Sequence, residues 1–266
     1  MSISFVGGGV MAEAIIRGIL NANIAGPEEI IVTEPVESRR SYLDAKLGLK
    51  THEDNESILD SDGIIILAVK PQTLEYVFSD LNGKIDKRRS VASIIAGVGL
   101  KTIQNGLSHN AIIRIMPNTP AQISEGMTVW TASSEVPESD KTTVSKILDT
   151  LGDELYVDEE KLIDMSTALS ASGPAYIFLF LEALIDSGVY LGMPRDLARK
   201  LVLKTVSGST DLVLKTGKHP AELKDMVTSP AGTTIEALVS MENDGFRAAV
   251  INGVRAAYDR SNELGG

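Results

Sequence analysis

Met1-Ser-Ile-Ser-Phe-Val-Gly-Gly-Gly-Val-Met-Ala12 opens the chain. Ser2 to Val6 reads as a short buried strand, and it runs into Gly7, Gly8 and Gly9 without a linker. From Val10 the spacing turns helical, with Ile15, Ile16, Ile19 and Leu20 on one side and Glu13 and Arg17 on the other. A strand, a glycine turn and a helix thus follow one another directly. Gly7-x-Gly9-x-x-Ala12 has the G-x-G-x-x-G/A spacing of a dinucleotide loop: the first Gly makes the tight turn, the second admits a pyrophosphate, and the small third residue lets helix and strand pack closely. The anion would sit on free N–H groups at the helix N-terminus, where the macrodipole favours negative charge. A glycine turn that binds nothing looks the same in isolation, so the rest of the chain has to decide.

The chain has 266 residues, enough for two domains of ordinary size. Apolar residues make up 43% but aromatic ones only 5%, which predicts aliphatic, helix-rich packing. A net charge of −11 and a pI near 4.8 argue against a general nucleic-acid binder or a polybasic membrane protein. An acidic protein that binds an anionic dinucleotide must rely on local donors. The absence of cysteine excludes disulfides, thiolate catalysis and Cys-based metal sites, and no metal site is expected. The N-terminus starts a strand with no basic region or cleavage site, and the apolar runs read as shorter than a bilayer span. A soluble, cytoplasmic protein with no nucleic-acid or membrane partner is the expectation.

Glu29-Ile-Ile-Val-Thr33 reads as the second strand, closed by Glu34-Pro35, with Arg39 and Arg40 opening the helix behind it. Glu34 falls 22 positions after Ala12, where a dinucleotide fold puts the carboxylate that accepts from the adenosine ribose 2′-hydroxyl. Gly63 to Val69 is a strand apolar on both faces, as parallel strands covered by helices are. Lys70-Pro71 closes it before a helix from Gln72 to Leu81. Ser90 to Ile95 and Ala111 to Met116 are the next strands, ended by Ala96-Gly97-Val98-Gly99 and by Pro117-Asn-Thr-Pro120. Strand and helix alternating through residue 116 mean a doubly wound parallel sheet of the Rossmann type. Two further strands, Met127 to Thr131 and Glu154 to Val157, flank a polar helix from about Val136 to Thr150. Beyond Asp158 only helices follow, so the domains are drawn as 1–161 and 162–266. The helix from Pro174 to Leu191 is apolar nearly all round and must be buried on every side. A domain of about a hundred residues offers little interior, so that burial is expected to be completed by another subunit, the alternative being the central helix of a monomeric bundle.

Thr228-Ser-Pro-Ala-Gly-Thr-Thr-Ile235 breaks two helices. Pro230 and Gly232 end one, and the next starts at Thr233 and Thr234, leaving N–H groups beside three hydroxyls. Such a cradle suits a carboxylate, although ordinary Ser/Thr capping has the same composition.

With these residues in view the chain resembles the Δ1-pyrroline-5-carboxylate reductases. The likeness runs through Pro220-Ala-Glu-Leu-Lys-Asp-Met-Val-Thr-Ser-Pro-Ala-Gly-Thr-Thr-Ile-Glu-Ala-Leu-Val-Ser-Met-Glu242 and through Arg114-Ile-Met-Pro-Asn-Thr-Pro-Ala121, Ala68-Val-Lys-Pro71, Ser170-Ala-Ser-Gly-Pro-Ala-Tyr176 and Gly245-Phe-Arg247. It implies reduction of the cyclic imine to L-proline by NADPH or NADH, on an N-terminal Rossmann-like doubly wound α/β domain followed by an all-α dimerisation domain. A homodimer or higher oligomer through the C-terminal helices goes with it. The resemblance assigns the cofactor to Val6, Gly7, Gly8, Gly9, Val10 and Met11, to Ala68, Val69, Lys70 and Pro71, and to Ile95, Ala96 and Gly97, with Glu34 at the ribose and Asn55 at the adenosine end. It assigns the substrate carboxylate to Ser229, Gly232 and Thr233, the ring nitrogen to the Thr234 hydroxyl as the catalytic group, and Glu160 to the substrate site.

Glu34 departs from relatives with a small hydroxyl residue at that position. A carboxylate there repels a 2′-phosphate unless Arg39 and Arg40 offset it, which leaves NADH against NADPH open. Met226 stands where some relatives have asparagine. Dehydrogenases of the β-hydroxyacid type share the Rossmann half but look for a lysine on the first long helix of the second domain, and Pro174 to Leu191 contains none. A deazaflavin–nicotinamide oxidoreductase leaves the Ser229 to Thr234 loop unexplained. A non-catalytic nucleotide sensor is the alternative from another class. His52, His109 and His219 are left unassigned.

Overall fold

Ile3–Val6 forms strand β1 with all four residues buried, as expected of a parallel strand with helices over both faces. The computed structural model describes residues 2–265, with side chains through residue 263. It divides into two compact units, Met1–Gly173 with Ala257–Gly266, and Pro174–Ala256. The sequence puts the change of character at Lys161; the first unit runs on through Gly173 and takes back the end of the chain.

In the first unit β1 is followed by α1 (Val10–Asn21), β2 (Ile30–Thr33), α2 (Glu37–Leu47), β3 (Lys50–His52), β4 (Ile64–Leu67), α3 (Leu74–Leu81), β5 (Val91–Ser93), α4 (Leu100–Leu107), β6 (Ile112–Met116), β7 (Gly126–Ala132), α5 (Glu138–Asp149), β8 (Gly152–Tyr156) and α6 (Lys161–Ser166). They build one sheet in the order β3-β2-β1-β4-β5-β6-β7-β8. Strands through β6 pair in parallel, β7 runs antiparallel to β6, and β8 is parallel to β7. The reversal follows from chain length. Residues 117–125 separate β6 from β7, too few for the crossover that a parallel return requires. Strand β3 is absent from the sequence reading, because three residues display no alternation.

Alternate residues of one strand feed two cores. Ile3, Phe5, Ile64 and Ile66 lie under Ile15, Ile16 and Ile19 of α1, Leu43 of α2, and Ile147 and Leu148 of α5. Val6, Ile65 and Leu67 belong to the opposite face, with Leu74, Val77, Phe78 and Leu81 of α3 and Ile103 and Leu107 of α4. Each such side chain stabilises the fold by about 1.5–3 kcal/mol. Arg89, buried before β5, ties down the segments that lead into the sheet. Its Nε donates to Gly63 O at 2.9 Å, Nη1 to Ile58 O at 2.7 Å and Nη2 to the Ser4 and Ser61 hydroxyls. His109, also buried, bonds through Nε2 to Arg89 O at 2.7 Å, a structural role.

Helix α6 passes through a π-helical turn, Thr167–Ala171, into α7 (Gly173–Tyr190). The turn has a local cause. Pro174 has no N–H, and its ring crowds the carbonyl four residues back. The Ser170 carbonyl is left to Asn118, whose Nδ2 donates to Ser170 O at 3.4 Å. One consequence corrects the expectation that no apolar run reaches bilayer length: Lys161–Tyr190 is continuous helix, long and apolar enough to cross a membrane by length and composition.

The second unit holds the rest of α7, α8 (Arg195–Thr216), α9 (Pro220–Met226), α10 (Thr233–Asn243) and most of α11 (Phe246–Gly265). Within Pro174–Ala256 only Ala198 is buried. On α7, Ile177, Phe178 and Leu179 are 50%, 61% and 68% exposed. The helix that reads as needing burial all round therefore has no fully buried residue in a single chain.

The Arg89 network generates one expectation. Arg89→Met strands the Ile58 and Gly63 carbonyls at a cost of roughly 3 kcal/mol, to be read as a lower urea midpoint. A midpoint equal to wild type shows that Arg89 fastens nothing.

Candidate functional site

At the end of β1 the backbone is held on both sides. Gly7 N–H donates to Thr33 O and Ala68 N–H donates to Val6 O, each at 2.8 Å. Gly7 has φ 97°, and a Cβ there would lie 2.7 Å from Ala68 O. At Gly8 a Cβ would lie 2.7 Å from Leu43 Cδ1. The packing of the protein itself therefore explains these two glycines. Gly9 is different: a Cβ there meets nothing within 4 Å. It is the N-cap of α1, no side chain caps it, and Val10 beside it is 64% exposed. Among the described residues the amides of Gly9, Val10 and Met11 have no hydrogen-bond partner, the first intrahelical donor being Glu13 N–H to Gly9 O. A row of aimed donors with room in front of it is what a phosphate requires.

The strand order reverses between β1 and β4, so the carboxyl ends of these two strands flank a crevice of the kind that binds ligands in open α/β sheets. Val6 and Gly7 are buried at its floor. Ala68 and Val69 are half-buried, while Lys70 and Pro71 are exposed. After β5, Ile95 is buried, Ala96 is exposed, and Gly97 turns the chain at φ 74°.

Glu34 follows β2 and is fixed by two backbone amides, Gly8 N–H to Oε2 and Val36 N–H to Oε1, both at 3.0 Å. The arginines behind it are committed to protein groups. Arg40 donates through Nη1 to Glu34 O at 2.7 Å and Pro35 O at 2.8 Å, and pairs with Glu53 at 3.2 Å. Arg39 reaches back to Gly8 O at 2.5 Å and Gly9 O at 3.3 Å, and pairs with Glu13 at 2.6 Å. Asn55 bridges β2 to α3: Oδ1 accepts from the Thr33 hydroxyl and Nδ2 donates to Asp80, both at 2.8 Å.

Glu160 belongs to a cluster that the sequence reading does not contain. Its Oε1 accepts from Leu100 N–H at 2.7 Å, at the start of α4, and from Arg114 Nη1 at 2.9 Å. Arg114 on β6 is 3% exposed and pairs through Nη2 with Asp164 at 2.5 Å. The available signal was a lone charge inside the apolar run Ala111 to Met116, since a buried arginine needs partners. Glu160 thereby stands against the segment that follows Ile95 to Gly97.

In the second unit, Gly232 is the N-cap of α10, with φ −84°, ψ 171° and no side-chain cap. Gly232 N–H donates to Ser229 O at 3.1 Å, and a Cβ at Gly232 would lie 2.3 Å from Ser229 Oγ. Ala231 sits at φ 56°, a left-handed conformation that costs an L-residue about 1–2 kcal/mol. Ser229 and Thr233 are exposed and Thr234 is half-buried, all beside the uncapped turn. The break thus presents free amides and hydroxyls on a strained, fixed loop. Met226, at the end of α9, is exposed.

A family model described as pyrroline-5-carboxylate reductase dimerisation matches residues 160–264, and one described as NADP oxidoreductase, coenzyme F420-dependent, matches residues 2–97. A pyrroline-5-carboxylate reductase of Synechocystis sp. is 45% identical over 265 residues, covering 100% of this chain and 98% of the relative. The chain belongs to the pyrroline-5-carboxylate reductase family. A reductase of that name from Methanosarcina acetivorans is 42% identical, with 99% of this chain and 97% of the relative covered. The crystal structure of Plasmodium falciparum pyrroline carboxylate reductase with NADP bound has a TM-score of 0.91 at 33% identity, covering 100% of this chain and 98% of that one. Both halves of this reductase-family chain are thereby accounted for, the Rossmann-like sheet and the helical dimerisation segment.

Gly9→Ala tests the open space at the loop. With no clash inside the protein it lowers stability by no more than about 1 kcal/mol, yet the methyl occupies the room left for phosphate. The expected result is a thermal midpoint near wild type with dinucleotide affinity reduced roughly tenfold. Unchanged affinity shows that phosphate does not approach Gly9.

Proposed function

We propose that this protein reduces Δ1-pyrroline-5-carboxylate to L-proline with NADPH or NADH, the last step of proline biosynthesis. Full-length kinship with named reductases is the observation that carries this function. Reduced nicotinamide supplies a hydride from its C4; the imine carbon C5 gains it, the C=N bond becomes single, and a proton on nitrogen completes the secondary amine.

The work of the chain is positional. Val6 to Met11, Ala68 to Pro71 and Ile95 to Gly97 hold the dinucleotide along the sheet edge, Glu34 accepts from the adenosine ribose, and Asn55 buttresses the adenosine end. The N–H groups at the start of α10, with Ser229, Gly232 and Thr233, take the substrate carboxylate. The Thr234 hydroxyl holds the ring nitrogen, and Glu160, held by Arg114 and the Leu100 amide, stands at the substrate site. A protonated imine is already electrophilic, so proximity and orientation, an effect worth ~7–11 kcal/mol, supply most of what the reaction needs. Residues 1–161 serve the hydride donor, with Glu160 at the end of that stretch turned to the acceptor, and 162–266 serve the acceptor and dimer formation. Helices α7 to α11 join two copies of the chain, and the exposed apolar residues of α7 support this.

Purified protein is expected to oxidise NADH or NADPH only when pyrroline-5-carboxylate is added, and Thr234→Ala to lower kcat/KM for the imine by roughly 10- to 100-fold with dinucleotide affinity intact. Absence of turnover with either dinucleotide, in folded protein, would falsify the activity; lost dinucleotide binding in the variant puts the substrate elsewhere. Glu34→Ser removes a charge that faces a 2′-phosphate at close range, a juxtaposition that costs several kcal/mol when desolvated. The NADPH/NADH ratio of kcat/KM is expected to rise at least roughly tenfold, and a constant ratio means that Glu34 does not face the ribose.

A further inference from the structure

On the reading that residues 6–11 bind a nicotinamide dinucleotide, we propose that Arg39 is a positioning residue: by gripping the carbonyls of Gly8 and Gly9 it aims the amides of Gly9 and Val10 at the phosphates, and it is not a receptor for a 2′-phosphate. Three observations meet here. Arg39 Nε donates to Gly8 O at 2.5 Å and Nη2 to Gly9 O at 3.3 Å. The guanidinium lies 4.9 Å from the centre of the Tyr42 ring, which fixes its plane. The chain has no cis peptide among the described residues, and in a trans peptide C=O and N–H point in opposite directions. Where Arg39 draws the Gly8 carbonyl inward, the Gly9 N–H must point outward, and the Gly9 carbonyl fixes the Val10 N–H in the same way. These outward amides face the space that a Cβ on Gly9 leaves open.

The grip has work to do because three successive glycines have wide conformational freedom. A flip of the Gly8–Gly9 peptide would turn an N–H toward the protein and a carbonyl toward an anion. A charged donor shared between both carbonyls opposes that flip. Arg39 also manages the charge of Glu13, which lies in the first turn of α1 and would repel a phosphate. Glu13 is held by Arg17 at 2.7 Å, Arg39 at 2.6 Å and the Tyr42 hydroxyl at 3.1 Å. Burial pushes its carboxyl up, but these hydrogen bonds outweigh that and hold it below the ordinary range. The side of Arg39 that carries Nε and Nη2 is thus committed to the loop and to Glu13.

The test is titration of Arg39→Met and Arg39→Lys with NADH and NADPH by nicotinamide fluorescence, together with thermal melting and KM for the imine. Arg39→Met is expected to weaken both dinucleotides by the same factor, roughly tenfold, with their affinity ratio and the imine KM unchanged. Arg39→Lys keeps the charge near Glu13 but cannot straddle two carbonyls, so it recovers part of both affinities; it decides the question alone if Arg39→Met does not fold. Loss confined to NADPH overturns the proposal in favour of a 2′-phosphate receptor. Wild-type affinity in both variants overturns it because the loop then aims itself. Wild-type protein that binds neither dinucleotide overturns the underlying reading of the loop, and the proposal with it.

Discussion

The ligand-facing part of the first unit depends on two backbone hydrogen bonds at the end of β1, Gly7 N–H to Thr33 O and Ala68 N–H to Val6 O. They hold the ends of β2, β1 and β4 level where the sheet order changes direction. The chain can leave β1 at that point only by a turn that passes over the Ala68 carbonyl, hence glycine at φ 97°. Everything downstream inherits that exit. Helix α1 starts with its amides at the crevice, Glu34 reaches the Gly8 amide, and Arg39 reaches the carbonyls behind it. The hydrophobic packing of Ile3, Phe5 and Val6 supplies stability, and these two bonds convert it into a fixed direction for the loop.

A different constraint governs the second unit. Ordering a residue costs about 1–2 kcal/mol of backbone entropy alone, and in Pro174–Ala256 only Ala198 is fully buried, the rest being half-buried or exposed. Phe180 and Phe246 approach to 6.1 Å between ring centroids, one of two aromatic ring pairs among the described residues. A segment so built draws little stability from its own interior, in keeping with its match to a dimerisation family, and whatever covers it in an assembly adds to its stability by mass action. The apolar stretch of bilayer length follows from the same economy: a helix that must be covered on all sides by protein has the composition of one covered on all sides by lipid.

How legible this was in the sequence varied with the range of the interaction. The strand–glycine–helix start, the strands through Met116 and the helix start at Thr233 carry their cause within a few residues, and they could be read directly. Strand β3 could not, because three half-polar edge residues pair only by virtue of β2 already being there. The Arg114 cluster was invisible for another reason: its partners Glu160 and Asp164 are 46 and 50 positions away, and only the lone charge in an apolar run hinted at them. The π turn before α7 lay between. Pro174 gave its cause, but its remedy, Asn118, came from a loop 52 residues upstream of Ser170. Arg39 and Arg40 read as free cations near a nucleotide, whereas the fold assigns their donors to carbonyls and carboxylates.

That assignment resolves how a chain of net charge −11 can attract an anion. The arginines around the loop, Arg17, Arg39 and Arg40, are matched by Glu13 and Glu53 and contribute little field of their own. Exposed charges elsewhere are screened within about 8 Å at physiological salt, so the global acidity does not reach the loop either. What is left is a contact device: peptide dipoles of α1 and a few aimed amides, strong only at hydrogen-bond distance. Such a device suits an anionic group that fits it closely and offers little to one at a distance. Glu34, held by Gly8 N–H and Val36 N–H, cannot swing aside without breaking both bonds. The same Gly8 amide that belongs to the glycine loop therefore anchors the Glu34 carboxylate, so loop geometry and the position of that charge are coupled through Gly8.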